Sequence, residues 1–194
     1  MKSILLISLL LLTSCASQEI MRGGRPLISQ SKYVDLIYEK SDKDIKYSGL
    51  YNTLEVHATP ITSQVALGQL DYQTQIYQWD ESKFSTESAA YEARLNREAE
   101  FFISFFTPEK KNDDLTKPNS VWKVFLDVDG RRYEGQVKKI RSLLAEIQGL
   151  YPYHNRFSTP YSVIFPVPMK SIESKEMTLT MTGPIASGIL RFNP

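Results

Sequence analysis

The strongest constraint on the fold lies in residues 121–140, VWKVFLDVDGRRYEGQVKKI. Residues alternate between apolar and polar on both sides of Asp129-Gly130. That pair suits a type I′ turn, which needs positive φ at both central positions. A two-residue loop sets Val128 against Arg131, Asp127 against Arg132, Leu126 against Tyr133 and, further out, Trp122 against Val137. Trp122, Val124, Leu126 and Val128 then share one face, and opposite charges meet on the other. Turn chemistry and cross-strand pairing agree, which predicts an antiparallel hairpin.

Other stretches share the two-residue period. In residues 50–58, Leu50, Leu54, Val56 and Ala58 fall on one face with Asn52, and Tyr51, Thr53, Glu55 and His57 on the other. Phe101 to Phe106, FFISFF, is apolar on both faces and reads as an interior strand. Tyr161, Val163, Phe165 and Val167 predict another strand. Met177, Leu179 and Met181 alternate with threonines, Gly183-Pro184 turns the chain, and residues 188–192 close it.

Helical spacing appears between the first strand and FFISFF. Residues 62–79 carry Val65, Ala66, Leu70, Ile76, Tyr77 and Trp79 on one broad face. A second helix starts at Ser85 or Thr86 as cap, with Glu87 near its N-terminal dipole and Tyr91, Leu95, Ala99 and Phe102 as its stripe. The two form an αα-hairpin. Residues 32–41 suit a short helix or a strand, and residues 141–148 a helical turn. Short strands with regular turn signals predict an Ig-like antiparallel β-sandwich of about seven strands carrying this helical hairpin. The domain covers residues 46–194, with the helical insertion at about 62–100.

The amino-terminal segment carries a different message. Lys2 is the only charge before an apolar run from Ile4 to Leu12, broken only by Ser8. That is the layout of a secretory signal, since a spanning helix needs ~20 apolar residues for ~30 Å of hydrocarbon. Leu12-Thr13-Ser14-Cys15 resembles the lipobox of bacterial lipoproteins. The resemblance implies a signal peptide over residues 1–14, cleavage after Ser14, a lipid on the Cys15 sulfur and acylation of the new amino terminus. By analogy with lipoprotein sorting, Ala16 implies the periplasmic face of the outer membrane in a diderm host. The alternative is a secreted protein in which Cys15 is incidental. The lipidated residues 15–45, with Gly23-Gly24 and Pro26, read as a tether. Segments such as WKVFLDVDG and YSVIFPVP resemble uncharacterised envelope lipoproteins, a likeness that implies no activity.

Charge narrows the partners. Removing residues 1–14 takes away only Lys2, so 23 basic against 22 acidic side chains become an even balance. Nothing here favours nucleic acid. The single cysteine leaves the domain without disulfides.

Motifs for chemistry are sparse. His57 and His154 are the only histidines, and neither belongs to a zinc-ligand pattern. His57, beside Thr53 and Glu55, reads as part of a solvated strand face. Asp127-Val128-Asp129-Gly130 imitates the start of a calcium loop but lacks its later ligands, and the hairpin explains it better. Asp113-Asp114 reads as a solvated loop tip. No metal and no cofactor are expected, and a non-catalytic protein is favoured. The one candidate contact site for an envelope protein or glycan is the loop bearing Tyr151, Tyr153, His154, Asn155, Arg156 and Phe157. The plainer reading turns Tyr151, Tyr153 and Phe157 inward to cap the open end of the sandwich. The function expected is thus a lipid-anchored binding or assembly module. The alternatives are an envelope hydrolase whose site assembles only in the fold, and a small-ligand or glycan carrier with a cavity between sandwich and helical hairpin.

Overall fold

The computed structural model describes residues 20–194. The signal segment 1–14 and the lipidation residue Cys15 lie outside the described residues. The chain forms β1 (Met21–Arg22), β2 (Arg25–Pro26), α1 (Gln30–Glu39), β3 (Asp42–Ser48), β4 (Tyr51–Pro60), α2 (Ser63–Tyr77) and α3 (Glu81–Leu95). There follow β5 (Ala99–Phe106), β6 (Lys123–Val128), β7 (Arg131–Glu134), β8 (Gln136–Lys139) and α4 (Leu144–Leu150). The chain ends with β9 (Thr159–Phe165), α5 (Met169–Ile172), β10 (Met177–Thr182) and β11 (Ser187–Phe192). The eleven strands described make three antiparallel sheets, ordered β1-β2, β11-β10-β6-β7 and β3-β4-β5-β9-β8. The fold is therefore mixed, with five α-helices beside the sheets.

The FFISFF strand, β5, is the middle of the five-stranded sheet. Phe101, Ile103 and Phe105 face the four-stranded sheet. Phe101 meets Phe192 of β11 edge to face at 5.5 Å, and Phe105 meets Trp122 at 5.4 Å. Each buried side chain of this size contributes about 1.5–3 kcal/mol relative to exposure. Phe102 and Ser104 point the other way, under the helices. There α1 joins α2 through stacked Tyr33 and Tyr72, 4.7 Å apart.

The hairpin of β6 and β7 has the predicted register, Val128 to Arg131, Asp127 to Arg132 and Leu126 to Tyr133. Asp129 and Gly130 both have positive φ, 54° and 71°. The expected pairing of Trp122 with Val137 does not occur, because the strand leaves the sheet at Gly135. The Gly135 N–H still donates to Val124 O at 2.8 Å. From Gln136 the chain pairs with β9 in the other sheet, Val137 opposite Val163. A Cβ on Gly135 would lie 2.4 Å from Val163 Cγ1 and 3.0 Å from the Phe165 ring, so only glycine fits the crossing.

The sheets also meet at their opposite edges. The carboxylates of Asp42 and Asp44 on β3 accept the N–H groups of Arg191 and Ile189 on β11, at 2.7 and 2.8 Å. Side-chain oxygens thus satisfy an edge strand that would otherwise present free donors. Burial works to raise the Asp44 carboxyl, but Lys46 and the Ile189 N–H outweigh it and hold it below the usual carboxylate range.

Several expectations shift. The strand count exceeds seven because β7 and β8 are separate, β1 and β2 lie in the stretch assigned to a tether, and β3 begins there. Residues 20–45 are held to the domain by Arg25, whose guanidinium makes bonds of 2.7 and 2.6 Å to Asp71 on α2. The Ile28 N–H reaches the same carboxylate at 2.9 Å. Helix α3 starts earlier than Ser85, because the Asp80 side chain caps it by accepting Lys83 N at 2.8 Å. It ends at Leu95, so Ala99 and Phe102 belong to a strand and not to its stripe.

Two predictions follow from the seams. Asp44→Asn keeps an acceptor but loses the charge, and should cost about 1 kcal/mol at pH 7 in denaturant unfolding. A depressed folded pKa gives stability present above the unfolded value near ~3.9 and lost as pH falls through the folded one. The wild type should therefore lose more stability than Asp44→Asn as the pH falls below about 4. Gly135→Ala should cost about 1–3 kcal/mol in the same assay, the usual penalty of overpacking.

Candidate functional site

The loop between α4 and β9 divides into two halves. In the first, Tyr151 lies flat on Phe102 with ring centres 3.5 Å apart, and its hydroxyl accepts from Gln69 Nε2 at 2.8 Å. Burial pushes that hydroxyl well above its ordinary pKa. Tyr153 shares a hydrogen bond of 2.6 Å with Thr59 Oγ1 and stacks on His57 at 3.5 Å. His154 Nδ1 pairs with Ser104 Oγ at 2.8 Å, and its carbonyl accepts from Gln148 Nε2 at 2.9 Å. This half covers the outer face of the five-stranded sheet.

His57 is accordingly half-buried and not part of a solvated face. Burial, aided by Lys43 and opposed by Asp42, lowers its pKa to about 4, so it is neutral at pH 7. Burial also lowers the His154 pKa. Ser104 and His154 resemble a nucleophile and base in spacing. Each is only 3 % exposed, however, so no substrate reaches the Ser104 hydroxyl in this conformation. The pair acts here as an internal hydrogen bond.

The second half turns outward. Asn155 Oδ1 accepts the Phe157 N–H at 2.8 Å, which fixes a tight turn. Arg156 is exposed and Phe157 is 75 % exposed. Tyr151 and Tyr153 therefore turn inward, but onto the outer face of the five-stranded sheet and not over the open end of the sandwich, and Phe157 turns outward.

Sheet register places more apolar side chains at that end. Phe105 pairs with Thr159, and Thr107 Oγ1 donates to Thr53 O, so the loop after Asn155 lies towards the β3–β4 turn. Gly49 there has φ +62°, and Leu50 and Tyr51 beside it are 98 and 80 % exposed. Leu50 is thus at a hairpin tip and not on the inner strand face. Tyr47 is exposed next to them. The carboxylate contacts of Ile189 and Arg191 run β11 against β3 and carry Ile185, in the β10–β11 turn, to the same end. The sequence signal for this cluster was the pair of alternating runs flanking Ser48-Gly49, with apolar residues inside the turn.

The acidic motifs serve the fold. Arg132 Nε and Nη2 each bond Asp127 at 2.8 Å, and Lys175 reaches Asp129. Asp113 is half-buried and not a solvated tip, with Thr159 Oγ1 donating to Oδ2 at 2.7 Å and Oδ1 without a partner. Burial pushes its carboxyl up. Among the described residues no cluster of three metal-ligating side chains occurs, and no helix is long and apolar enough to cross a membrane.

A cavity of about 190 Å³ lies between the helical pair, β5 and α4. Phe102, Ile147 and Leu150 form apolar walls, and Arg94 and Glu100 supply charge. Comparison with protein-family models, curated proteins and solved structures finds no match for this chain.

The two halves of the loop should respond differently to substitution. Tyr151→Ala should lose about 3–5 kcal/mol in denaturant unfolding, as for a large buried aromatic. Phe157→Ala should stay within about 0.5 kcal/mol of wild type.

Proposed function

We propose that the protein is a lipid-anchored envelope protein acting as a non-catalytic assembly module, docking a partner protein through its apolar end. The observation that carries this reading is the gathering of Tyr47, Leu50, Tyr51, Ile185 and Phe157 at one end of the molecule. Aromatic and arginine side chains are favoured in protein interfaces, and Arg156 stands beside Phe157. The loop leaving β5 at that end sets Glu109, Asp113 and Asp114 against Lys110, Lys111 and Lys117, an even balance that gives an anionic lipid surface no net attraction.

Leu12-Thr13-Ser14-Cys15 supports attachment through a lipid on Cys15, facing the periplasm from the outer membrane in a diderm host. Buried acyl carbons contribute about 0.8 kcal/mol per CH₂, so two or more chains hold stably. Tethering raises the effective concentration at a membrane-bound partner, and a modest apolar patch then suffices. The facing of the four- and five-stranded sheets supports the finer reading of an Ig-like β-sandwich with a helical insertion.

Metabolic labelling with an alkyne palmitate analogue should mark the wild type and not Cys15→Ser. An unlabelled wild type would remove the anchor. A photo-crosslinking residue at position 50 should trap one partner in cells, while the same residue at exposed position 85 on α3 should not. The same adducts at both positions, or none at 50, would reject the docking surface.

A further inference from the structure

We infer that the cavity beside α3 is a binding site for a free α-amino acid with an apolar side chain. The inference stands apart from the docking surface, which lies on different elements. At about 190 Å³ the cavity is a space for a small metabolite.

The charged groups define the ligand's polar end. Arg94 is held over the Tyr91 ring, its guanidinium carbon 4.5 Å from the ring centre. Its nearest carboxylate oxygen is Glu100 Oε2 at 3.8 Å, too far for a hydrogen bond. The two form a loose ion pair, which a ligand carboxylate on the paired donors of the guanidinium would replace with a closer one. Glu100 Oε1 is fixed by Ser162 Oγ at 2.6 Å, so Oε2, now paired with Arg94, is the oxygen that would accept from a ligand ammonium. Glu146 is turned to its own helix start, accepting the Leu143 N–H at 3.3 Å.

A simple anion would satisfy Arg94 and meet repulsion from Glu100. A simple cation would do the reverse. Carboxylate and ammonium on one carbon satisfy both by replacing the 3.8 Å ion pair with two closer contacts, one to each side chain. The third substituent of that carbon then faces Phe102, Ile147 and Leu150, where burial favours an aliphatic or aromatic group.

Isothermal titration of the full chain in mild detergent tests this, using leucine, isoleucine, valine and phenylalanine as probes. For the tightest of the four, the matching acid without the amine and the matching amine without the carboxylate should each bind at least about tenfold more weakly, as for loss of a charge-assisted bond. Arg94→Gln and Glu100→Gln should each weaken binding by a similar factor while the melting temperature stays unchanged. Ser142→Trp, at an exposed position on the cavity wall, should block binding in a folded protein. Failure of all four probes to bind at millimolar concentration would overturn the site. Full binding by Ser142→Trp would place any binding elsewhere. Equal binding of the acid without the amine would overturn the amino acid and leave a carboxylate site.

Discussion

From Phe101 to Phe105 strand β5 has no wet face, and the rest of the molecule is arranged to keep it so. Phe101, Ile103 and Phe105 require a second sheet in front, supplied by β6, β10 and β11. Phe102 and Ser104 require a cover behind, supplied by Tyr151, His154 and the helices above them. A strand this apolar would be an aggregation hazard if either cover were missing. The helical pair and the α4 loop are thus parts of the core, although they lie outside the sheets.

Two sheets that face each other still need their edges settled, and the chain uses a different device at each. On one side a continuous strand crosses from sheet to sheet at Gly135, where Val163 and Phe165 leave no room for a side chain. On the other, Asp42 and Asp44 lend carboxylates to the N–H groups of β11. The first joint depends on shape and the second on charge, so only the second responds to acid.

Settling the sheets in this way also sorts the polar and aromatic residues. His57, Tyr153 and the Ser104–His154 pair are drawn into the cover of β5 and become packing and internal hydrogen bonds. The residues left outside, Phe157 with the β3–β4 tip and Ile185, come from three connections far apart in sequence. Register across the sheets brings them to one end. The charged wall of the cavity, Arg94 and Glu100, lies at the join between a helix end and a strand start, where neither helical nor strand periodicity distinguishes functional from solvated side chains.

Local chemistry determined what the sequence revealed by itself. The Asp129-Gly130 turn with its register, the two-sided burial of FFISFF, the alternating runs of β4, β6, β9 and β10 and the helical hairpin all rest on interactions between near neighbours. Alternation, turn propensity and capping report such interactions directly. Tertiary structure decided the rest. Gly135 breaks a strand because of Val163, Asp71 draws residues 20–45 onto the domain through Arg25, and Leu50 stands at a tip although its parity matches the inner face. Each of these depends on a partner tens of residues away or on where a turn ends, and the two-residue period carries no information about either. The exposed apolar end and the cavity are of this second kind, so neither was legible as a motif.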